Sequence, residues 1–224
     1  MTGMTRKKVL MNVRSQLDLQ RQSFISHYRD LSDYILPRRS RFLITDSNKG
    51  DRRNTKINDN TATLSSRTLR SGMLSGVTSP ARPWFRLTTP DPAMAEFGRV
   101  KEWLYQVQNI MGNSFLKSNL YQTLPLVYGD LGTFATSPFS VEERLDRSVL
   151  HTQSFPVGSY RIAVDDYGRV NTFVRDFQMT VGNLITKYAK KGSDGKPDWT
   201  NISQSVRDQY EQGNYNTWIQ LCHT

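Results

Sequence analysis

The stretch Asn60–Pro92, NTATLSSRTLRSGMLSGVTSPARPWFRLTTPDP, decides how the rest of the chain is read. Its first half predicts a helix over ~60–77: Asn58, Asp59 and Asn60 offer acceptors to the unpaired N–H groups of a first turn, and Leu69, Met73 and Val77 recur at fourfold spacing. The other face is small, with Ala62, Ser65, Ser66, Gly72, Ser75 and Gly76. Glycine inside a helix costs ~1 kcal/mol relative to alanine, so the expectation is that Gly72 and Gly76 lie buried against a closely approaching helix or strand. Pro80 and Pro83 forbid further helix, and Trp84-Phe85-Arg86-Leu87 reads as a short half-buried strand before a turn at Thr89-Pro90-Asp91-Pro92.

Upstream, Leu10, Val13, Leu17, Phe24, Tyr28, Leu31 and Ile35 step by three and four, predicting an amphipathic helix over ~6–36 that Pro37 stops. Arg14, Arg21 and Arg29 fall off that seam and read as an ordinary charged face, with a coiled-coil partner site as the alternative. Residues 38–58 lack a sustained period and carry a turn signal, Asn48-Lys49-Gly50-Asp51, which suits a loop or weak hairpin.

Downstream, Phe97, Val100, Leu104, Val107 and Met111 predict a helix over ~93–111 ending at Gly112-Asn113. Ser118 can cap another through Leu120, Leu124, Val127 and Tyr128, with Pro125 bending or restarting it. From Gly132 the period changes. Residues 133–141 suit an edge strand or two short ones, and the alternations in 159–165 and 169–176, joined by Asp166-Tyr167-Gly168, form a β-hairpin. Thr180 can cap a short helix, 190–197 is an exposed loop, a helix over ~202–212 closes at Gly213-Asn214, and the run 215–223 alternates like a strand. The fold class is therefore α+β, long amphipathic helices beside a mostly antiparallel sheet, with a mainly helical region 1–131 and a β-rich region 132–224 that is expected to continue beyond the sequence given.

A chain of 224 residues can bury roughly 70% of its unfolded surface. Its 37% apolar content is low for a self-sufficient globule, so neighbours are expected to complete part of the apolar surface. The single cysteine excludes an internal disulfide framework, and no run approaches the length of a membrane span. Residues 1–56 hold thirteen Lys/Arg against five Asp/Glu, leaving a near-neutral remainder within a net charge of +10. Such a segment suits polyanion binding through counterion release, or a solvated positive face.

Motifs for catalysis are missing. Gly192-Ser-Asp-Gly-Lys196-Pro197 puts proline where a phosphate-binding loop needs its magnesium ligand, and Gly72-Met-Leu-Ser75-Gly76 has the wrong spacing for a nucleophile elbow. His27, His151 and His223 share no Cys or acidic partner at ligand spacing, so neither a metal, a cofactor nor an acid–base pair is expected.

The order of elements resembles the portal proteins of short-tailed phages, the head-to-tail connecting family. The features that carry it are Tyr34-Ile35-Leu36-Pro37 at the end of a long helix, a basic polar segment, the small-residue helix, and Pro83-Trp84-Phe85-Arg86-Leu87. A second amphipathic helix, the start of a third at Ser118-Asn119-Leu120-Tyr121, and a turn at Gly129-Asp130-Leu131-Gly132-Thr133 complete the series. The resemblance implies a non-enzymatic ring of twelve subunits at one capsid vertex of the virion, assembled in the host cytoplasm. Double-stranded DNA would be packaged and ejected through it, with the major capsid protein, terminase and tail adaptor proteins as partners and no membrane. The alternative is a non-enzymatic DNA-binding module, although no helix is both basic and followed by a tight turn into a recognition helix. Arg38, Arg39, Arg41, Arg52 and Arg53 are the candidate contacts, to DNA phosphates or to a neighbouring subunit.

Overall fold

The spacing of Leu10, Val13 and Leu17 is realised as α1 (Arg6–Tyr34), which Pro37 keeps from continuing. The computed structural model describes residues 6–39, 42, 55–144, 149–189, 197–200 and 202–223. These divide into two units, one holding 6–23 and the described parts of 158–223, the other 24–39 and the described parts of 48–157. Helices and antiparallel sheets coexist, so the fold is α+β.

The second unit contains α2 (Thr61–Val77), α3 (Pro92–Glu96), α4 (Gly98–Lys117), α5 (Leu120–Phe134) and a two-stranded ladder of β1 (Phe139–Glu143) with β2 (Leu150–Ser154). Its core is carried by α5, where Leu120, Leu124 and Tyr128 form a buried cluster backed by Met73, Leu74 and Phe115. The small face of α2 is not the packed one. Gly72 and Gly76 are exposed, and a Cβ at either would meet nothing within 4 Å. The close approach is made instead by Gly132 of α5, where a Cβ would lie 2.6 Å from Leu69 Cδ2, whereas one on Gly129 would make an ordinary contact at 3.7 Å with Arg70 Cδ. Gly129–Thr133, expected as a turn, is thus the last part of a helix in which Gly132 admits the Leu69 side chain of α2.

Three other boundaries depart from the sequence pattern for physical reasons. Segment 83–89 keeps the alternation of a strand, with Phe85, Leu87 and Thr89 half-buried, but belongs to no ladder among the described residues. The expected turn at 89–92 starts α3: Asp91 accepts from the Ala93 amide at 2.9 Å and Pro92 occupies the first helical position, where its missing N–H costs nothing. Helix α4 runs through Gly112-Asn113 to Lys117, because the half-buried stripe of Leu104, Val107 and Met111 extends to Phe115 and outweighs one helical glycine.

Strand β2 lacks the β-branched alternation that marks strands in sequence. It is held from the side by Asn119, whose amide donates to the Thr152 carbonyl at 2.7 Å and accepts from the Thr152 N–H at 2.7 Å. Asn119 occupies the N-cap position of α5 without capping it, and the adjacent Ser118 Oγ accepts from the Leu120 amide.

In the first unit, β3 (Tyr160–Val164), β4 (Val170–Thr180) and β5 (Trp218–His223) form an antiparallel sheet in that order. The expected hairpin is present, with Gly168 at φ 74° in its turn. Helices α6 (Val181–Tyr188) and α7 (Gln204–Glu211) bury Val181, Leu184, Ile185 and Val206 together. Thr180 precedes α6 without a side-chain cap. Most of the expected loop 190–197 lies outside the described residues.

Candidate polyanion and subunit-interface sites

Of the five arginines singled out from sequence, Arg38 is exposed just after α1, while Arg41, Arg52 and Arg53 lie outside the described residues. Arg39 turns inward. Its Nε donates to both carboxylate oxygens of Asp130 at 2.9 Å, its Nη2 pairs with Asp130 Oδ2 at 2.8 Å, and the same Nη2 donates to Ser154 Oγ. One guanidinium thereby ties the turn after α1 to α5 and β2. Asp130 is 1% exposed, and burial pushes its carboxyl up to about 6 even though the hydrogen bonds and charge of Arg39 pull the other way. Breaking such a buried pair by removing one partner costs ~3–5 kcal/mol, because the other charge is left uncompensated.

A second arginine cluster was hidden in what the sequence presented as a charged face. Arg14, Asp18 and Arg21 follow one another at helical spacing on α1, while Arg161 of β3 and Asp176 of β4 are diagonal neighbours on one sheet face, since Arg161 is paired with Val174. Asp176 accepts from Arg14 Nη2 at 2.8 Å and Arg161 Nη1 at 2.7 Å, and Arg161 Nε donates to Asp18. Burial is the largest influence on Asp176 and pushes it up, but Arg14 and Arg161 together hold the carboxyl below its ordinary value. Arg21 donates from Nη1 to the carbonyls of Gly158 and Tyr160 at 2.7 and 2.9 Å. Burial, then repulsion from Arg161, pulls the Arg21 pKa down. Arg14 and Arg21 are therefore internal ties of this unit and do not form a free charged face. The signal in sequence was the Arg-x-x-x-Asp-x-x-Arg stripe itself.

One open surface of the second unit is aromatic. Trp84 stacks on Phe115 with centroids 6.0 Å apart and packs edge-on against Phe85 at 5.0 Å, and its Nε1 donates to Tyr121 Oη at 3.1 Å. Between this group and α4 lies an open cleft of about 400 Å³, bordered by Arg82, Trp84, Phe85, Gln108, Leu116 and Tyr121. Neither α2 nor α4 contains a buried residue, and Trp103 and Ile110 of α4 are 61% and 65% exposed. None of the cleft-lining residues is a His, Cys, Asp or Glu.

Among the described residues no group of three or more His, Cys, Asp and Glu could hold a metal ion, and no helix is long and apolar enough to cross a membrane.

Comparison with known proteins gives a consistent set of relatives. Residues 7–224 match the family described as "Bacteriophage head to tail connecting protein". The chain is 49% identical over 219 residues to a "Portal protein" of Salmonella phage epsilon15, covering 98% of this chain and 38% of that relative. It is 40% identical over 223 residues to a "Probable portal protein" of Bordetella phage BPP-1, covering 100% of this chain and 38% of that relative. The chain therefore spans well under half the length of these curated relatives.

Proposed function

The chain belongs to the bacteriophage head to tail connecting protein family, and from that premise we propose that it is part of a structural portal subunit. The subunits form a ring at one capsid vertex of the virion, through which double-stranded DNA is packaged and ejected. The observation that carries this reading is the match over 7–224 together with two relatives named as portal proteins. The absence of any buried residue in the amphipathic helices α2 and α4 supports it, because a chain that leaves such faces open has surface for neighbours. In this reading the helical region 1–131 and the β-rich region 132–224 both belong to the outer wing. The ring has twelve subunits, is assembled in the host cytoplasm, and contacts the capsid protein, terminase and tail adaptor proteins in turn. The protein works by assembly and not by catalysis. Electron microscopy and native mass measurement of the complete subunit should show closed rings; a monomer at micromolar concentration would overturn the proposal.

The basic segment enters as an accessory contact. Arg38, Arg41, Arg52 and Arg53 are proposed to meet DNA phosphates or an acidic neighbouring subunit, and Arg39 to hold the start of the segment in place through Asp130. Replacing those four with glutamine, with Arg39 kept, separates the two cases. Contact with phosphates predicts weaker DNA binding at every sequence and a salt slope flatter by up to ~0.9 per lost contact, with rings intact. An unchanged slope with loss of rings assigns them to the subunit interface.

A further inference from the structure

The 164–170 turn of the β3–β4 hairpin carries more than its geometry requires. Asp165 is explained locally, since its Oδ1 accepts from the Tyr167 amide at 3.0 Å and the Arg169 amide at 2.8 Å, and Gly168 is explained by its φ of 74°. Tyr167 is not. Its side chain is 88% exposed, and it is flanked by the cross-strand pair Val164 and Val170, each more than half exposed. An apolar tip of this kind is stable in water only at the expense of solubility, and such patches mark contacts with other molecules. The tip is acidic on one side, with Asp166 exposed beside Asp165, while the exposed Arg169 lies beyond Gly168 on the other.

The open cleft beside α4 has the opposite character. Its wall is aromatic, from Trp84, Phe85 and Tyr121, and its lining includes the exposed Arg82, whose Nη2 donates at 3.4 Å to the Ser75 and Gly76 carbonyls. Arg86 borders the adjoining hollow that shares Trp84 and Phe85, is 75% exposed and is only loosely paired to Glu96 at 3.8 Å. Residues 83–89 belong to no ladder among the described residues. One chain thus carries both an acidic apolar knob and a basic aromatic recess. A patch that fits a recess elsewhere on the same molecule makes a head-to-tail contact, which closes into a ring when the rotation permits.

We propose that the Val164–Val170 hairpin tip of one subunit docks in the cleft between residues 82–86 and α4 of the next, with Tyr167 against Trp84 and Phe85 and Asp166 against Arg82 and Arg86. This rests on the ring reading and names its contact. The test uses the complete subunit with Cys222→Ser and the pair Tyr167→Cys and Asn109→Cys, Asn109 being an exposed residue of the cleft lining. Oxidation should give a ladder of linked oligomers on a non-reducing gel, and neither cysteine alone should give one. Asp166→Arg should lower the fraction of rings at least tenfold, and Arg82→Glu with Arg86→Glu should restore it. Rings without a ladder, or a link confined to single chains, would overturn the docking while leaving the ring reading intact. A parent subunit that forms no ring removes both.

Discussion

Leu69 of α2 lies so close over Gly132 of α5 that a Cβ on the glycine would stand 2.6 Å from Leu69 Cδ2. Alanine at 132 is tolerable because Leu69 is partly exposed and its terminal methyl can move, while a helical alanine regains ~1 kcal/mol over glycine. A larger side chain has no such escape. Gly132→Leu is expected to cost ~1–3 kcal/mol by overpacking, whereas Gly76→Leu, with open space around it, should stay within ~1 kcal/mol of the parent. Urea unfolding of the dissociated subunit checks both, and equal losses at the two sites would refute this packing.

Asn119 acts on β2 as a strand would. Its amide completes both backbone groups of Thr152, a residue 2% exposed, and no water can take over those bonds at that depth. Asn119→Asp keeps the acceptor and loses the donor, leaving the Thr152 carbonyl only the longer 3.4 Å bond from the Thr123 hydroxyl, so it should cost ~1–3 kcal/mol. Asn119→Ala should cost more, since the Thr152 N–H then loses its partner as well. Amide exchange at Thr152 provides the local readout: protection that survives Asn119→Ala would contradict this account.

What the sequence disclosed and what it concealed differ in kind. Period alone placed α1, α2 and the β3–β4 hairpin, since each has a long run with one face turned inward. Strand β2 was invisible because LHTQS has no alternation, and its position depends on Asn119, distant in sequence. The turn expected at 129–133 is helix for a related reason: Gly132 gives room to Leu69, a contact with a residue distant in sequence. Of the candidate arginines, only charge density could be read. That Arg39 faces Asp130, and that Arg14 and Arg21 reach the sheet, are long-range facts that composition does not contain.

Helix α5 ends on Ala135, which has φ 58° and donates its amide to the Leu131 carbonyl. A left-handed conformation costs a residue with a Cβ about 1–2 kcal/mol, and glycine is the usual occupant of this position. Glycine also has more freedom to lose on folding, which offsets part of the gain. Ala135→Gly should therefore stabilise the unit by ~0.5–1 kcal/mol, read as a higher urea midpoint at unchanged slope. A lower midpoint would show that the Ala135 methyl contributes packing that outweighs its backbone strain.

The Asp130 carboxyl gives the second unit a pH signature opposite to that of an ordinary paired aspartate. Its folded pKa of about 6 lies above the ordinary 3.8, so the native state binds the proton more tightly than the unfolded chain. The associated stability is fully present below pH ~4 and is lost as pH rises through ~6, to a total of ~3 kcal/mol. Asp176 behaves in reverse: its pKa is depressed, so its contribution is present above the ordinary value and is lost only as pH falls below it. The interval from pH 4 to 7 is therefore governed by Asp130. In unfolding experiments across that interval, Asp130→Asn should gain on the parent by up to ~3 kcal/mol as pH rises, whatever its stability at pH 4. Arg39→Met removes the group that holds the pKa down, so the loss should then continue to higher pH. Parallel curves for the parent and Asp130→Asn would mean that Arg39 fully offsets the burial of Asp130 and that the carboxylate stays ionised throughout.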